Sequence, residues 1–189
     1  MKEMNRREFL TLTGAAVVAL SLAGCGGTSA PPAPPAAPTG KEADLLAAIN
    51  KVWKEKFDAG EVVNEQLTLY QDAVGLIKGY GRVFEIANET PHELADEDLG
   101  ILSGETGKLP DEVKMYGEAA GMAGVSDPDP KRNVALEDEY SCEDTAVRAF
   151  VAKLLTNPNS FKAEFISIYL PVVKNVTYMT AVVFRINKP

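Results

Sequence analysis

The sequence predicts an α+β fold in which helices cover both faces of an antiparallel sheet, an α-β-α sandwich. Two observations indicate it. Apolar residues recur at three- and four-residue spacing in the first part of the chain and again near residue 150, which is typical of amphipathic helices. Residues 161–187 are instead rich in β-branched and aromatic residues, and the last strand they predict is apolar on both faces. Such a strand needs cover from both sides, which the preceding helices can supply.

An amphipathic helix is predicted from Glu42 onward. Its apolar stripe is formed by Leu45, Leu46, Ile49, Val52, Trp53 and Phe57. The sequence Asp58-Ala59-Gly60 indicates where the helix ends. Because Trp53 lies on the stripe, we expect it to be buried against the C-terminal sheet.

The middle of the chain carries weaker signals. A second helical pattern spans Val63 to Ile77, and Gly79-Tyr80-Gly81 predicts its end or a bend. Residues 85–139 lose this periodicity and are rich in Gly, Pro, Asp and Glu. Short helices and loops are predicted there, with one turn around Pro91 to Leu94 and another from Asp111 to Ala120.

A clear helix is predicted after Ser141. We expect Ser141 as its N-cap, with Asp144 completing a capping box. Its buried stripe comprises Ala146, Val147, Phe150, Val151, Leu154 and Leu155. Asn157 precedes Pro158 and is therefore disfavoured in helical conformation, which predicts the end of the helix.

Two strands close the chain, Phe161 to Val173 and Val176 to Asn187. Lys174-Asn175 between them is a plausible two-residue hairpin turn. Proline cannot donate to a strand ladder, so Pro171 predicts that the first strand is an edge strand or carries a bulge.

The N-terminus carries export and lipidation signals. The segment around Arg6 and Arg7 resembles the twin-arginine export signal. The apolar run Leu12 to Ala23 is shorter than the ~20 residues of a membrane-spanning helix and is typical of a signal peptide. It ends in Leu-Ala-Gly before Cys25, which resembles the lipobox of bacterial lipoproteins. We therefore expect cleavage before Cys25 and lipidation of its thiol.

These signals predict the organisation of the chain. Residues 1–24 are the signal peptide, and residues 25–40 are the lipidated cysteine with a linker rich in proline and alanine, typical of a semi-rigid spacer. Residues 41–189 are long enough for one domain with a sizeable core. The expected location is extracytoplasmic, anchored to the bacterial membrane through Cys25.

Composition narrows the partners and cofactors. The net charge is −8, and the loss of a signal peptide of net charge +1 leaves −9, which disfavours nucleic acid as a partner. His92 is the only histidine and Cys142 the only thiol besides Cys25, so no zinc-ligand cluster can be drawn and no metal or other cofactor is predicted. His92 itself is expected at the surface, in the first turn of a short acidic helix.

Several segments, taken in order, resemble the CAP superfamily, the SCP or pathogenesis-related-1-like domains of the cysteine-rich secretory protein type. The segments that carry the resemblance are Ala43 to Val52, Tyr116-Gly117-Glu118-Ala119-Ala120, Ala146 to Ser160, and the closing hairpin with Tyr178 and Val182-Val183-Phe184. The resemblance implies a CAP/SCP-like α-β-α sandwich over residues 41–189.

The resemblance also implies a cleft, which departs here from the family pattern. Members with an intact cleft carry two histidines and two acidic residues, and some bind a divalent cation. Ser160 stands in the place of the second histidine, and the first would fall near Gly81 to Val83, where none exists. Glu118 is the credible match.

We therefore expect a degenerate, cation-independent CAP-like domain that binds a lipid, a cell-wall fragment or a protein and has no catalytic role. Two alternatives stay open. The first is an envelope hydrolase that uses Glu118 as acid/base, for which a raised pKa would be needed. The second is a purely structural lipoprotein.

Overall fold

The computed structural model describes residues 40–113, 115–124 and 133–186, and the side chains of Leu76, Met115 and Tyr116 are not considered. The predicted signal peptide, residues 1–24 with Arg6 and Arg7, and the linker, residues 25–40 with Cys25, lie outside the described residues except for Gly40. None of the helices in the part of the chain that is described has the length and apolar character to cross a membrane.

Helices and strands are interspersed along the described chain. The helices are α1 (Lys41–Asp58), α2 (Gly75–Ala87), α3 (Asp96–Thr106) and α4 (Asp144–Leu154), with 3₁₀ turns at Gln71–Ala73 and Ser160–Lys162. The strands are β1 (Thr68–Leu69), β2 (His92–Glu93), β3 (Met115–Ala120), β4 (Met122–Gly124), β5 (Asn133–Leu136), β6 (Phe165–Tyr169), β7 (Val172–Val173), β8 (Val176–Thr177) and β9 (Thr180–Arg185).

The central sheet has four strands in the order β1-β6-β9-β3. Strand β9 pairs antiparallel with both β6 and β3, whereas β1 runs parallel to β6. The prediction of an antiparallel sheet is therefore wrong at this edge. Two amides hold β1 there: Asn50 exchanges two hydrogen bonds with the backbone of Leu67, and Gln71 does the same with Ile168.

Helices lie on both faces of this sheet, and the fold is α+β as predicted. Alternate residues of β9 face opposite sides: Ala181 and Val183 pack with α1 and α4, and Val182 and Phe184 pack with α2. Trp53 is fully buried in the core shared by α1, α4 and the sheet, and its indole Nε1 donates to the Asn64 carbonyl at 3.1 Å. The predicted burial of Trp53 against the sheet is confirmed.

Two smaller sheets flank the central one. Strands β2, β5 and β4 form an antiparallel sheet with β5 in the middle, and β7 and β8 form a short hairpin. Lys174 and Asn175 have φ of 50° and 66°, as a type I′ turn requires, which confirms the predicted turn. The prediction from Pro171 is wrong, because β6 ends before it at Tyr169 and lies between β1 and β9.

The second predicted helix is displaced toward the C-terminus. Most of Val63 to Ile77 forms a loop, β1 and a 3₁₀ turn, and α2 continues through Gly79-Tyr80-Gly81. The glycines serve close packing there. A β-carbon at position 79 would lie 3.3 Å from the Leu102 Cα of α3, and one at Gly81 would overlap the Tyr169 ring.

Two predicted turns are strands. Asp111 to Ala120 contains β3, and Pro91 to Leu94 contains β2, while the acidic helix α3 begins only at Asp96. Both segments form strands because their backbones pair with other strands, β3 with β9 and β2 with β5.

Helix α4 begins at Asp144, two residues after the predicted start. Ser141 is not its N-cap: the Ser141 Oγ accepts the Glu143 N–H at 3.1 Å, a bond formed within the turn before the helix. Asp144 completes no capping box and pairs with Arg148 one turn later, at 2.6 Å. The predicted stripe is confirmed at Val147, Phe150, Val151 and Leu154, which are buried.

Candidate functional site at Glu118 and Ser160

Glu118 lies at an irregularity in β3. Tyr116 pairs with Phe184 and Ala119 with Val182, so two residues of β3, Gly117 and Glu118, stand opposite Val183 alone. This is the arrangement of a β-bulge. Position 117 has to be glycine, because a β-carbon there would overlap the Val183 carbonyl oxygen. Bulges bend a strand and redirect its side chains, which here affects Glu118 directly.

Ser160 contacts this bulge. The Glu118 backbone N–H donates to the Ser160 Oγ at 3.2 Å, and Ser160 is 1% exposed at the start of the 3₁₀ turn after α4. A bulge disturbs the strand ladder, and the serine hydroxyl supplies an acceptor for the backbone there. The structure therefore brings together the two residues that the sequence singled out. The contact uses the backbone of Glu118 and does not engage its carboxylate, and the residue is half-buried.

The third position that the resemblance singled out lies elsewhere. Val83 is fully buried in α2, which packs on Val182 and Phe184. Helix α4, which leads into Ser160, packs on the opposite face of the sheet. Residues 81–83 and Ser160 thus belong to different layers of the fold.

His92 does not lie on the first turn of a helix, and the prediction of a surface histidine is wrong. It belongs to β2, and its side chain is 14% exposed. Nδ1 lies 2.6 Å from the Glu89 Oε1, and Nε2 lies 3.0 Å from the Asp98 Oδ2. Two carboxylates hold the ring between the end of α2 and the start of α3.

These contacts change the protonation of His92. Burial lowers its pKa, but the hydrogen bonds with Glu89 and Asp98 and their negative charges outweigh burial, so the pKa is raised above 6.5. Sequence reasoning missed this cluster. Its signal was the concentration of acidic residues around the sole histidine, three residues before it and six after it.

A small groove lies between α1 and the start of α4. It has a volume of about 50 Å³ and is lined by Ala48, Lys51, Val52, Cys142, Asp144 and Val147. Cys142 is an exposed free thiol 3.3 Å from the Tyr140 hydroxyl, and this hydrogen bond, together with burial, raises the pKa of Tyr140 to about 12. Pockets for metabolites usually enclose ~300–1,000 Å³, so the groove is too small for such a ligand.

Comparisons with known proteins give no relatives: no model of a protein family, no curated protein and no solved structure matches this chain. Within residues 40–113, 115–124 and 133–186, no three His, Cys, Asp or Glu side chains are arranged to hold a metal ion.

Proposed function

We propose that this chain is an extracytoplasmic bacterial lipoprotein, anchored to the membrane through a lipidated Cys25, whose domain acts by binding a partner. In this proposal the domain is a degenerate CAP-type domain without a catalytic role. The export and anchor part rests on Arg6, Arg7 and Cys25 and on the order in which these signals occur.

The CAP-like assignment is supported by the hydrogen bond between Glu118 and Ser160. The two segments that resemble family motifs are 42 residues apart in sequence, and they meet at 3.2 Å. Helices on both faces of a sheet centred on the closing strands β6 and β9 are also in keeping with the resemblance.

The observation that favours a binding role over catalysis is that the only imidazole, the ring of His92, is already engaged by carboxylates. Both ring nitrogens of His92 are held by carboxylates, so neither is left to activate a nucleophile at Ser160 or to ligate a cation beside Glu118. The Ser160 hydroxyl is buried and accepts a backbone N–H. The partner in this proposal is a lipid, a cell-wall fragment or a protein.

A second candidate is an envelope hydrolase that uses Glu118 as acid/base. One observation favours it: the β-bulge at Gly117 and Glu118 is a feature that strands often carry beside active sites. The binding proposal expects Glu118 to serve in contacts with the partner, whereas the hydrolase needs its carboxylate to transfer a proton.

The anchor is tested by fractionating cells that express the full chain or Cys25→Ser. We expect the wild type in the membrane fraction and the variant either soluble or retained as an uncleaved precursor, since the acyl chains supply the membrane affinity. Cys142→Ser is the matched control and should stay membrane-bound. A processed, membrane-bound Cys25→Ser protein would contradict the lipid anchor.

The export route is tested with an Arg6→Lys, Arg7→Lys variant. Its export in cells without the twin-arginine machinery would contradict the twin-arginine route.

The binding role is tested by photo-crosslinking in intact cells. A photoreactive residue at position 118 should yield a discrete adduct with a lipid, a cell-wall fragment or a protein, whereas the same residue at Glu97, exposed on α3, should not. Absence of an adduct at 118 in the correctly located protein would contradict binding at this site. A crosslinked substrate that the wild type cleaves and Glu118→Gln does not cleave would establish the hydrolase.

A further inference from the structure

The segment between α2 and α3 carries a cluster of titratable groups that the proposed function does not use. Glu89 follows the end of α2, His92 lies in β2, and Asp98 lies in the first turn of α3. We propose that these three side chains form a proton-operated latch: a protonated His92 holds Glu89 and Asp98 together, and loss of its proton releases Glu89 and loosens residues 88–94.

The geometry requires a protonated ring in the closed state. An ionised carboxylate only accepts hydrogen bonds, and a neutral imidazole has a hydrogen on one nitrogen only. The contacts of 2.6 Å at Nδ1 and 3.0 Å at Nε2 are both hydrogen-bond distances to carboxylate oxygens. Both can form together only when His92 is an imidazolium that donates from both nitrogens.

Deprotonation forces one of the two contacts to break, and the surroundings decide which. The Asp98 side chain is 12% exposed, and its Oδ2 also accepts the Ala95 N–H at 2.8 Å, which fixes it at the start of α3. The Glu89 side chain is 52% exposed and can turn into water at little cost. The neutral ring therefore keeps its hydrogen on Nε2 toward Asp98, and the bare Nδ1 repels Glu89.

Most charged side chains near the latch are acidic and favour the protonated state. One lysine also lies near it, since the Lys174 N–H donates to the Asn88 Oδ1, next to Glu89, at 2.9 Å. Residues 85–98 contain no lysine or arginine; besides Glu89 and Asp98, their acids are Glu85 at the end of α2, Glu93 on β2, and Asp96 and Glu97 on α3. Glu85 is engaged by the Tyr169 hydroxyl and the Val172 N–H. Strand β5, which pairs with β2, has no titratable side chain in Asn133–Leu136.

Release of Glu89 should also affect the backbone contacts between residues 88–94 and β5. His92 pairs with Val134 of β5, and Thr90 accepts the Leu136 N–H at 2.8 Å through its Oγ1. The latch thus holds the segment that joins α2 to the β2-β5-β4 sheet. Hydrogen bonds of residues 88–94 should be protected below the transition and exchange faster above it.

The sole histidine makes a direct test possible. We would label histidine in the full chain carrying Cys25→Ser, purified without a histidine tag, and follow its single ring resonance from pH 5 to pH 10. Backbone hydrogen exchange is measured in parallel and corrected for the intrinsic effect of pH. We expect a midpoint above 6.5, and faster exchange in residues 88–94 across the same midpoint while α1 is unchanged.

Two variants test whether the Glu89 carboxylate raises the titration midpoint of His92. Glu89→Gln keeps the size of the side chain and removes the charge, so the midpoint should fall by about one pH unit. Glu93→Gln is the matched control: it removes the same charge from an exposed residue of β2, and the midpoint should move by less than half as much. A wild-type midpoint at or below 6.5, equal effects of the two variants, or exchange in 88–94 that does not change across the titration would overturn the latch.

Discussion

The two faces of the central sheet are held by different kinds of contact. The face covered by α1 and α4 is closed by large apolar side chains, among them Trp53, Phe150 and Ile166, all fully buried. The face covered by α2, with α3 packed against it, combines a smaller apolar cluster around Ile77 and Phe184 with close glycine contacts and polar links.

Titratable side chains form many of the polar contacts on the face covered by α2. The Tyr169 hydroxyl donates to Glu85 at 2.9 Å, and burial together with this carboxylate raises the pKa of the phenol. Lys108 donates to Glu105 at 3.0 Å and lowers the pKa of that carboxyl. Apolar burial does not depend on protonation, whereas hydrogen bonds to ionised groups do. The ion pairs of the α1 face, such as Arg148 with Glu55 at 2.7 Å, are half exposed and contribute little. We therefore expect the stability of the α2 face to depend more strongly on pH than that of the α1 face.

The largest effect is expected from Trp53→Ala on the α1 face. Removing a fully buried indole leaves a cavity and should lower the free energy of unfolding by ~3–5 kcal/mol, measured by urea denaturation. Phe57→Ala, on the same helix but 37% exposed, is the control and should cost less than half as much. A loss below about 1 kcal/mol for Trp53→Ala, as for a surface change, would show that apolar burial does not dominate this face.

An intermediate effect is expected from Gly75→Ala at the start of α2. A β-carbon there would overlap the carbonyl oxygen of Glu105, so α2 and α3 must separate, at a cost of about 1–3 kcal/mol. Gly100→Ala in α3, where a β-carbon meets nothing within 4 Å, should instead stabilise the helix by up to ~1 kcal/mol. Equal effects of the two substitutions in thermal unfolding would contradict close packing of α2 and α3.

The same difference between the faces explains what the sequence predicts well. Helix α1, the stripe of α4 and the apolar strand β9 show clear periodicity, because each buries a continuous apolar face. The sequence predicts helix α2 in the wrong place, because its glycines look like helix breakers in sequence and act as contact residues in the fold. Strands β1 and β2 have two residues each, too few to show any period.

The candidate site also has a part that the sequence predicts and a part that it does not. Motif positions suggested Glu118 and Ser160, but only the register shift in β3 shows that a backbone N–H joins them. The sequence does not predict the burial of His92, because its partner Glu89 lies just after α2 and its partner Asp98 lies on α3, and their approach depends on how α2 and α3 meet. Contacts of this kind have no periodic signature.

The smallest predicted effect is a pH dependence of the α2 face. The pKa of His92 is raised in the folded protein, so the folded state binds this proton more tightly than the unfolded state. The stabilisation is fully present below pH 6.5 and is lost as the pH rises through the raised pKa. Urea unfolding of the wild type and His92→Gln at pH 6 and pH 9 should show a wild-type advantage at pH 6 that shrinks at pH 9. Trp53→Ala should cost the same at both pH values, because the indole has no titratable partner in its contact with Asn64. An advantage of His92 that persists unchanged at pH 9 would mean that the ring stabilises this face by packing and not by its charge.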